Sequence, residues 1–210
     1  MRLLLATRNA KKLVELQRIL DAALGGGAVT LVGLGEIDEY EEVPETGLTF
    51  EENALIKARE GARHSGLPTV ADDSGLAVDA LNGMPGVLSA RWAGLATGDQ
   101  ATRDRANLDL VLAQISDVPD AHRGGEFVCA AALVLPDGRE FTVAGHMRGH
   151  LIRAPRGEAG FGYDPIFVPD GHSRTSAELT ADEKDAISHR GEAFRALAKV
   201  IAAQVPGDER

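Results

Sequence analysis

The segment Leu3-Leu4-Leu5-Ala6-Thr7-Arg8-Asn9 decides the fold class. Its first four residues form a short continuous apolar run, which is typical of a buried strand, and polar residues follow at once. Apolar residues then recur with helical spacing at Leu13, Leu16, Ile19 and Leu20. The pattern predicts a buried strand, a tight loop and an amphipathic helix, which is the arrangement of an α/β fold.

The same kind of pattern continues along the chain. A second strand is predicted at 29–32, after three consecutive glycines. Thr49-Phe50-Glu51-Glu52 is a capping box, in which the Thr and Glu side chains satisfy each other's free backbone N–H groups, so a helix begins there and ends near residue 65. Thr69-Val70-Ala71 is then expected to be a short strand that ends at Asp72-Asp73-Ser74-Gly75.

The second half of the chain is predicted to contain helices and a hairpin. A helix is expected at 102–116, and two β-prone runs at 126–135 and 140–147 flank an Asp-Gly turn, which favours an antiparallel hairpin. A final helix is predicted at about 189–203. Because no internal repeat and no linker marks a boundary, we expect all 210 residues to form a single domain.

Charge restricts the class of partner. The chain carries 22 basic and 32 acidic side chains, for a net charge of −10. An acidic surface repels a nucleic-acid backbone, so we expect no nucleic-acid partner. A small anionic substrate requires a local cluster of Lys, Arg and backbone N–H groups, together with a metal cation.

Cysteine usage and hydropathy exclude further classes. Cys129 is the only cysteine and lies in an apolar run, so we expect it in the core, and disulfides within the chain and thiolate zinc sites are excluded. The first apolar run is too short for a signal peptide, and no stretch approaches the ~18 apolar residues of a membrane span. We therefore expect a cytoplasmic protein with no membrane partner.

The first candidate motif is Thr7-x-Asn9-x-x-Lys12, at the predicted strand-to-helix junction. Such a junction presents free N–H groups and the positive end of a helix dipole, and Thr, Asn and Lys side chains suit phosphate oxygens. The same spacing is also typical of a plain helix N-cap by Thr7 or Asn9. The P-loop, the His-Glu-x-x-His motif and the dinucleotide fingerprint are absent from the sequence.

The second candidate motif is Asp72-Asp73-Ser74-Gly75. Adjacent carboxylates at the end of a buried strand are costly unless a cation or a proton-transfer role uses them, although an Asx-type turn before Gly75 is an alternative. Since successive strand residues point to opposite faces, we expect one Asp at the site and the other in a structural role. Glu45 is either a second ligand of the same ion or a solvated loop carboxylate.

The third candidate motif is Phe161-Gly162-Tyr163-Asp164, which places two aromatic residues in a Gly-rich loop. A platform on which a base stacks would explain them, and burial of both rings in the core is the alternative. Lys184 and His189-Arg190 add donors at helix starts. With Lys12 and Lys57 they could form the local positive cluster that an anionic substrate requires on an acidic protein. The alternative is that these side chains lie on a solvated face.

These segments together carry a family resemblance that covers residues 3–202. The matching motifs, in chain order, are Thr7-x-Asn9-x-x-Lys12-x-x-Glu15, Glu45-Thr46-Gly47, Glu52-Asn53-Ala54, Ala71-Asp72-Asp73-Ser74-Gly75-Leu76, Pro85-Gly86-Val87-x-Ser89-Ala90-Arg91, Gly160-Phe161-Gly162-Tyr163-Asp164-Pro165 and Ser188-His189-Arg190. The set resembles the Ham1/RdgB family of inosine/xanthosine triphosphate pyrophosphatases.

The resemblance implies an elongated mixed α/β sheet with flanking helices, two lobes around a central nucleotide cleft, and a homodimer. It implies the hydrolysis of purine nucleoside triphosphates such as ITP, dITP and XTP to the monophosphate and pyrophosphate with Mg²⁺. This reaction would remove them from the nucleotide pool and prevent their incorporation into DNA and RNA.

The resemblance also implies roles for individual residues. Asp73 would be the catalytic base, and Asp73 and Glu45 would bind the metal. The residues implied to contact substrate are Thr7, Arg8, Asn9, Ala10, Lys11, Lys12, Lys57, Ser74, Phe161, Gly162, Tyr163, Asp164, Lys184, His189 and Arg190. Residues 7–12 would hold the phosphates, and 161–164 with His189 and Arg190 would enclose the base. Arg8 departs from the Gly that many members carry there.

Two other functions remain open at this point. One is a related nucleotide pyrophosphatase or general phosphohydrolase that prefers another base, and the other is a nucleotide-binding sensor without hydrolysis. Asp73, Glu45 and Lys12 argue against the sensor, because binding alone does not require a base and a metal ligand together. His146 and His150 have no role in any of these hypotheses.

Overall fold

The structure is a computed structural model that describes residues 1–38, 40–41, 43–94 and 97–204, and it describes Ala10 and Lys11 without their side chains. This part of the chain contains five α-helices and six strands. The helices are α1 (Ala10–Leu24), α2 (Phe50–Ser65), α3 (Gln100–Gln114), α4 (Ala181–Ile187) and α5 (His189–Gln204). The strands are β1 (Arg2–Leu5), β2 (Thr30–Gly33), β3 (Thr69–Val78), β4 (Gly124–Val134), β5 (Glu140–Leu151) and β6 (Phe167–Pro169).

The strands form one mixed sheet in the order β2-β1-β3-β4-β5-β6. β1 is parallel to both β2 and β3, with Leu4 opposite Val32 on one side and Thr69 on the other. β5 and β6 are antiparallel, with His150 opposite Val168. The mixed α/β fold with flanking helices predicted from the sequence is confirmed.

The third strand is much longer than the sequence pattern predicts. The prediction that it ends at Ala71 is wrong, because β3 continues to Val78 and the Asp72-Asp73-Ser74-Gly75 motif lies inside it. The strand accepts two carboxylates because cationic side chains from elsewhere in the chain pair with them. A Cβ at Gly75 would clash with the Ser89 side chain and the Gly86 carbonyl, so glycine permits this close approach.

The chain divides into two compact units. Unit 1 comprises Met1–Asp73, Cys129–Gly145 and residues 190–204, and unit 2 comprises Ser74–Val128 and His146–His189. In unit 1 the core lies between β1, β4, α1 and α5. It includes Leu3, Leu5, Leu16, Leu20, Cys129, Leu133, Phe194 and Leu197. The predicted burial of Cys129 is confirmed.

Unit 2 has a separate core, which includes Leu76, Val78, Leu108, Val111, Ile115, Phe127, Tyr163, Ile166 and Phe167. Arg123 is also buried there, and its guanidinium donates to the carbonyls of Ile115 and Leu151, so its burial leaves these donors satisfied. Among the described helices, none combines the length and apolar character needed to cross a membrane.

Helix α2 begins and ends at signals that the sequence contains. The Thr49 Oγ1 accepts from the Glu52 N–H at 3.1 Å, and the Glu52 carboxylate accepts from the Thr49 N–H at 3.1 Å, which confirms the capping box. Gly66 ends the helix with a φ of 66°, the left-handed conformation that glycine adopts without strain. These two signals fix the position of α2, which carries two side chains of the candidate site.

Candidate active site

The loop between β1 and α1 uses its polar side chains to begin the helix. Thr7 Oγ1 accepts from the Asn9 N–H at 3.2 Å, and Asn9 Oδ1 accepts from the Lys12 N–H at 3.4 Å. These side chains therefore cap the start of α1, as one alternative for the motif predicted, but Lys12 is not solvated, because it pairs with Asp72. The cap is compatible with phosphate binding, because the first turn of α1 still presents the positive end of the helix dipole. The side chains of Ala10 and Lys11 lie outside the described structure.

A cavity of about 690 Å³ opens beside this loop in unit 1. Its polar lining consists of Thr7, Arg8, Asn9 and Lys57 together with the carboxylates of Glu36 and Glu60. Its other lining residues include Leu13, Leu34, Ile37, Tyr40 and Val43. The volume is within the usual range of small-ligand pockets. Residues predicted to bind phosphate thus line an open space.

Asp72 lies at the centre of a buried ionic network in unit 1. Its Oδ2 accepts from Lys12 Nζ at 2.8 Å and lies 3.5 Å from Arg190 Nε, while Arg190 Nη1 donates to Glu15 Oε2 at 3.2 Å. Burial by itself raises the pKa of the Asp72 carboxyl, but the charges of Lys12 and Arg190 outweigh burial and hold this pKa well below its usual range. Asp72 therefore stays ionised and orients two cations.

Asp73 has different partners, as the alternation of strand side chains predicts. Its Oδ2 accepts from Asn53 Nδ2 at 3.1 Å, and its Oδ1 accepts from Lys57 Nζ at 3.3 Å. Lys57 Nζ also donates to Glu45 Oε1 at 2.7 Å. One ammonium therefore joins the two carboxylates that the sequence analysis assigned to a metal.

The electrostatics of this group favour a carboxylate that accepts protons. Burial raises the pKa of Asp73, and the charge of Glu45 adds to this effect while Lys57 opposes it. For Lys57, burial acts to lower the pKa, but the charges of Asp73, Asp72 and Glu45 outweigh burial and raise it, so the ammonium stays charged. A carboxyl with a raised pKa is a better general base than an ordinary Asp.

The donor set suits Mg²⁺. Glu45 and Asp73 both direct an oxygen at the same cation, the Lys57 ammonium, so their geometry already accommodates positive charge. Mg²⁺ is usually held by one or two carboxylates together with substrate phosphates, rather than by a complete protein cage.

In unit 2, Asp164 organises the aromatic loop. Its buried Oδ2 accepts from Lys184 Nζ at 2.6 Å and from the Phe161 N–H at 2.9 Å. Lys184 Nζ also lies 5.5 Å from the centre of the Phe161 ring, within the range of a cation–π contact. The structure therefore brings together Phe161 and Asp164, which were predicted to enclose the base, and Lys184, which was predicted to contact the substrate.

The two aromatic residues of this loop differ in environment. Phe161 is half-buried, whereas Tyr163 is buried in the unit 2 core and donates its hydroxyl to the Ser89 carbonyl at 2.8 Å. Burial also raises the pKa of Tyr163. Tyr163 thus corresponds to the core alternative, and Phe161 is the ring suited to stack on a base. The His189 ring is buried against Phe127, with ring centres 4.9 Å apart.

Sequence reasoning assigned no role to two residues that contact this machinery. Asn53 lies one helical turn before Lys57 on α2, and this i, i+4 spacing is a signal that both side chains share one face. Asp104 on α3 accepts from the Gly162 N–H at 3.0 Å, and no local pattern indicates that contact. His146 lies on an exposed face of β5, 3.2 Å from Glu126.

Comparison with known proteins identifies the family. Residues 3–200 match the model of the Ham1 family. A dITP/XTP pyrophosphatase of Mycobacteroides abscessus is 60% identical over 201 residues, which are 96% of this chain and 95% of that protein. A crystal structure of a nucleoside-triphosphatase, or dITP/XTP pyrophosphatase, from Mycobacterium abscessus superposes with a TM-score of 0.75 at 61% identity, over 94% of this chain and 98% of that one. The structure of a Ham1 protein from Coxiella burnetii superposes with a TM-score of 0.83 at 39% identity, over 97% of this chain and 99% of that one. The chain therefore belongs to the Ham1 family.

Proposed function

We propose that the chain is a Mg²⁺-dependent pyrophosphatase that hydrolyses dITP, ITP and XTP to the monophosphate and pyrophosphate, and so removes them before they enter DNA or RNA. Relatives of about 60% identity are named dITP/XTP pyrophosphatases. The observation that carries the proposal is the pairing of Glu45 and Asp73 on the single cation of Lys57, which also lines the cavity beside Thr7.

In the proposed reaction, water attacks the α-phosphorus and pyrophosphate leaves. Asp73 takes the proton of the attacking water, and Asn53 and Lys57 hold its carboxylate in place. Lys57 offsets the charge that develops on the phosphate oxygens. When bound by Glu45 and Asp73, Mg²⁺ supplies further charge neutralisation.

The remaining residues have roles in binding. The loop residues Thr7, Arg8 and Asn9, the first turn of α1 and Lys12 hold the phosphates. Ser74 contacts the substrate next to Asp73. Phe161 stacks on the base, and Gly162, Tyr163 and Asp164 shape its surroundings. Lys184 contacts the substrate.

Base selectivity follows from hydrogen-bonding patterns. Hypoxanthine and xanthine offer an acceptor at O6 and a donor at N1, whereas adenine offers the reverse. An N–H of Arg190 would donate to O6 of hypoxanthine or xanthine. In ATP the same N–H would face the N6 amino group, which is also a donor, and leaving both donors unpaired is costly in a buried site. A guanidinium carries five N–H donors, so contacts with Glu15 and Asp72 are compatible with one more to O6. His189 or backbone N–H groups near C2 would reject GTP.

We further propose that the protein acts as a homodimer in the cytoplasm and binds no nucleic acid. These proposals rest on the family resemblance and on the net charge of −10. Light scattering on the purified protein would show twice the chain mass of 22.2 kDa if the homodimer proposal holds.

The deciding experiment measures pyrophosphate and orthophosphate release from dITP, ITP, XTP, GTP, ATP and dTTP, with and without Mg²⁺. We expect Mg²⁺-dependent pyrophosphate release from the first three, and a loss of about 10²-fold or more in Asp73→Asn, as for removal of a general base. Orthophosphate as the product would favour a general phosphohydrolase. Tight nucleotide binding without turnover would favour the sensor.

A further inference from the structure

Asn53 is a fully buried polar side chain at the centre of the candidate site. Its amide is used at both ends: Oδ1 accepts from the Gly47 N–H at 2.8 Å, and Nδ2 donates to Asp73 Oδ2 at 3.1 Å. An amide is the side-chain group of this size that accepts and donates at once, whereas an ionised carboxylate only accepts. The bridge between Gly47 and Asp73 therefore depends on an Asn at this position.

The Gly47 end of the bridge holds the segment that carries Glu45. The Glu52 carboxylate accepts from the Leu48 N–H at 2.7 Å, so the chain after Gly47 is tied to the first turn of α2. A Cβ on Gly47 would lie 2.7 Å from Asn53 Oδ1 and 2.6 Å from Glu52 Cβ, so the close approach requires glycine. The position of Glu45, two residues before Gly47, is thus set by the N-terminus of α2.

The Asp73 end of the bridge sets the direction of the proposed base. Asn53 holds Oδ2, and Lys57, one turn further along α2, holds Oδ1 and also contacts Glu45. Side chains on one face of α2 therefore contact both carboxylates. A base and a metal ligand must keep a fixed separation, because small displacements of reacting groups cost large factors in rate.

We infer that Asn53 is a positioning residue, which holds the Asp73 carboxylate and the segment bearing Glu45 at the separation that a shared divalent cation requires. This inference rests on the proposed function, since it takes Glu45 and Asp73 as the metal ligands. Asn53 itself contacts neither substrate nor metal in this account. It acts through the two carboxylates.

The test compares Asn53→Ala with Asn107→Ala. Asn107 is a matched control, because it is also a buried Asn. Its Oδ1 accepts from the Ala93 N–H at 2.8 Å and its Nδ2 donates to the Ala90 carbonyl at 3.1 Å, so neither end of its amide holds a carboxylate. Three quantities are measured: the melting temperature, Mn²⁺ binding by water-proton relaxation without nucleotide, and kcat for dITP at saturating Mg²⁺.

Both variants should melt at a lower temperature than the parent. Asn53→Ala alone should weaken Mn²⁺ binding and lower kcat, each by about 10- to 100-fold, which is the usual effect of losing a partner of a metal ligand. Asn53→Asp keeps an acceptor for Gly47 but has no N–H for Asp73, so its kcat should fall as well. Asn53→Asp also decides the question if Asn53→Ala does not fold.

Equal Mn²⁺ affinity and equal kcat in Asn53→Ala and Asn107→Ala would overturn the inference, and so would parental kcat in Asn53→Asp. The Mn²⁺ measurement needs no substrate. A parent enzyme that releases no pyrophosphate from dITP would therefore refute the proposed function, while the difference in Mn²⁺ affinity between the two variants would still test the role of Asn53.

Discussion

At the scale of single residues, two adjacent carboxylates of one strand have opposite environments. Asp72 shares two buried cations and has a pKa below the usual range, whereas burial raises the pKa of Asp73. The difference arises because neighbouring strand residues face opposite sides and meet different partners. One side chain can therefore maintain the structure while the next carries the proposed chemistry.

The structural role of Asp72 leads to a stability prediction. Asp72→Asn removes the charge shared by Lys12 and Arg190, whose side chains are 16% and 4% exposed. Lys12 loses this carboxylate and Arg190 keeps only Glu15, and buried cations that lose a partner are costly, so we expect the free energy of unfolding to fall by about 3–5 kcal/mol. Urea denaturation measures the change.

The control for this prediction is a pair of the same kind on the surface. Asp79 lies 2.8 Å from Arg148, and both side chains are about half exposed, so Asp79→Asn should cost less than about 1 kcal/mol. If the two substitutions lower the free energy of unfolding equally, burial is not the reason that the Asp72 network stabilises the protein.

Residue types, short spacings and the family resemblance predicted the candidate residues, but they did not predict their partners. The contact between Arg190 and Glu15 joins residues 175 positions apart, and that between Lys12 and Asp72 joins residues 60 apart. A one-dimensional pattern contains no information on such pairs. The sequence therefore assigned Arg190 to the base without indicating that Glu15 and Asp72 contact it. This assignment stays a prediction, as do the other substrate contacts.

At the scale of elements, α2 connects a local sequence signal to the site. Its N-terminus is set by Thr49 and Glu52, and the same helix carries Asn53 and Lys57. The start of the helix thus sets the positions of two side chains that hold Asp73.

Loss of the cap should destabilise this helix measurably. Thr49→Ala removes the acceptor of the Glu52 N–H, and we expect the free energy of unfolding to fall by about 1 kcal/mol. Thr49→Ser keeps a hydroxyl in the same place and should stay close to the parent. Equal losses in the two variants, measured by urea denaturation, would mean that packing of the threonine methyl group matters and the cap does not.

Element type was largely predictable from sequence, and element ends were less so. The helices α2 and α5 lie within about a residue of their predicted bounds, because capping and periodicity are local. β3 was the main error, since Asp72 and Asp73 suggested the end of a strand. Their charges are compensated by Lys12 and Lys57 from other elements, and tertiary pairing therefore overrides the local signal.

At the scale of the whole molecule, two compact units share three strands. β3 passes from unit 1 to unit 2 between Asp73 and Ser74, and β4 and β5 also contain residues of both units. Each unit has its own apolar core. Because these three strands continue through both units, we expect loss of their hydrogen bonds in one unit to weaken those in the other, so the two cores should unfold together.

We therefore predict one cooperative unfolding transition. Leu133→Ala in the unit 1 core and Leu76→Ala in the unit 2 core each remove a fully buried side chain, and each should cost about 2–5 kcal/mol. Trp92, the only tryptophan, packs against the unit 2 core, so its fluorescence reports on that unit, while far-UV circular dichroism reports on all helices and strands. In each variant the two signals should shift to the same urea midpoint.

The informative variant is Leu133→Ala, because its cavity lies in unit 1 and the fluorescent probe lies in unit 2. If the shared strands couple the units, this substitution lowers the Trp92 midpoint as much as the dichroism midpoint. Val14→Ala is the control, because this side chain on α1 is 66% exposed. By either signal it should change the free energy of unfolding by less than about 0.5 kcal/mol. A Trp92 midpoint that stays at the parental value in Leu133→Ala would show that the units unfold separately, and that the shared strands do not transmit stability.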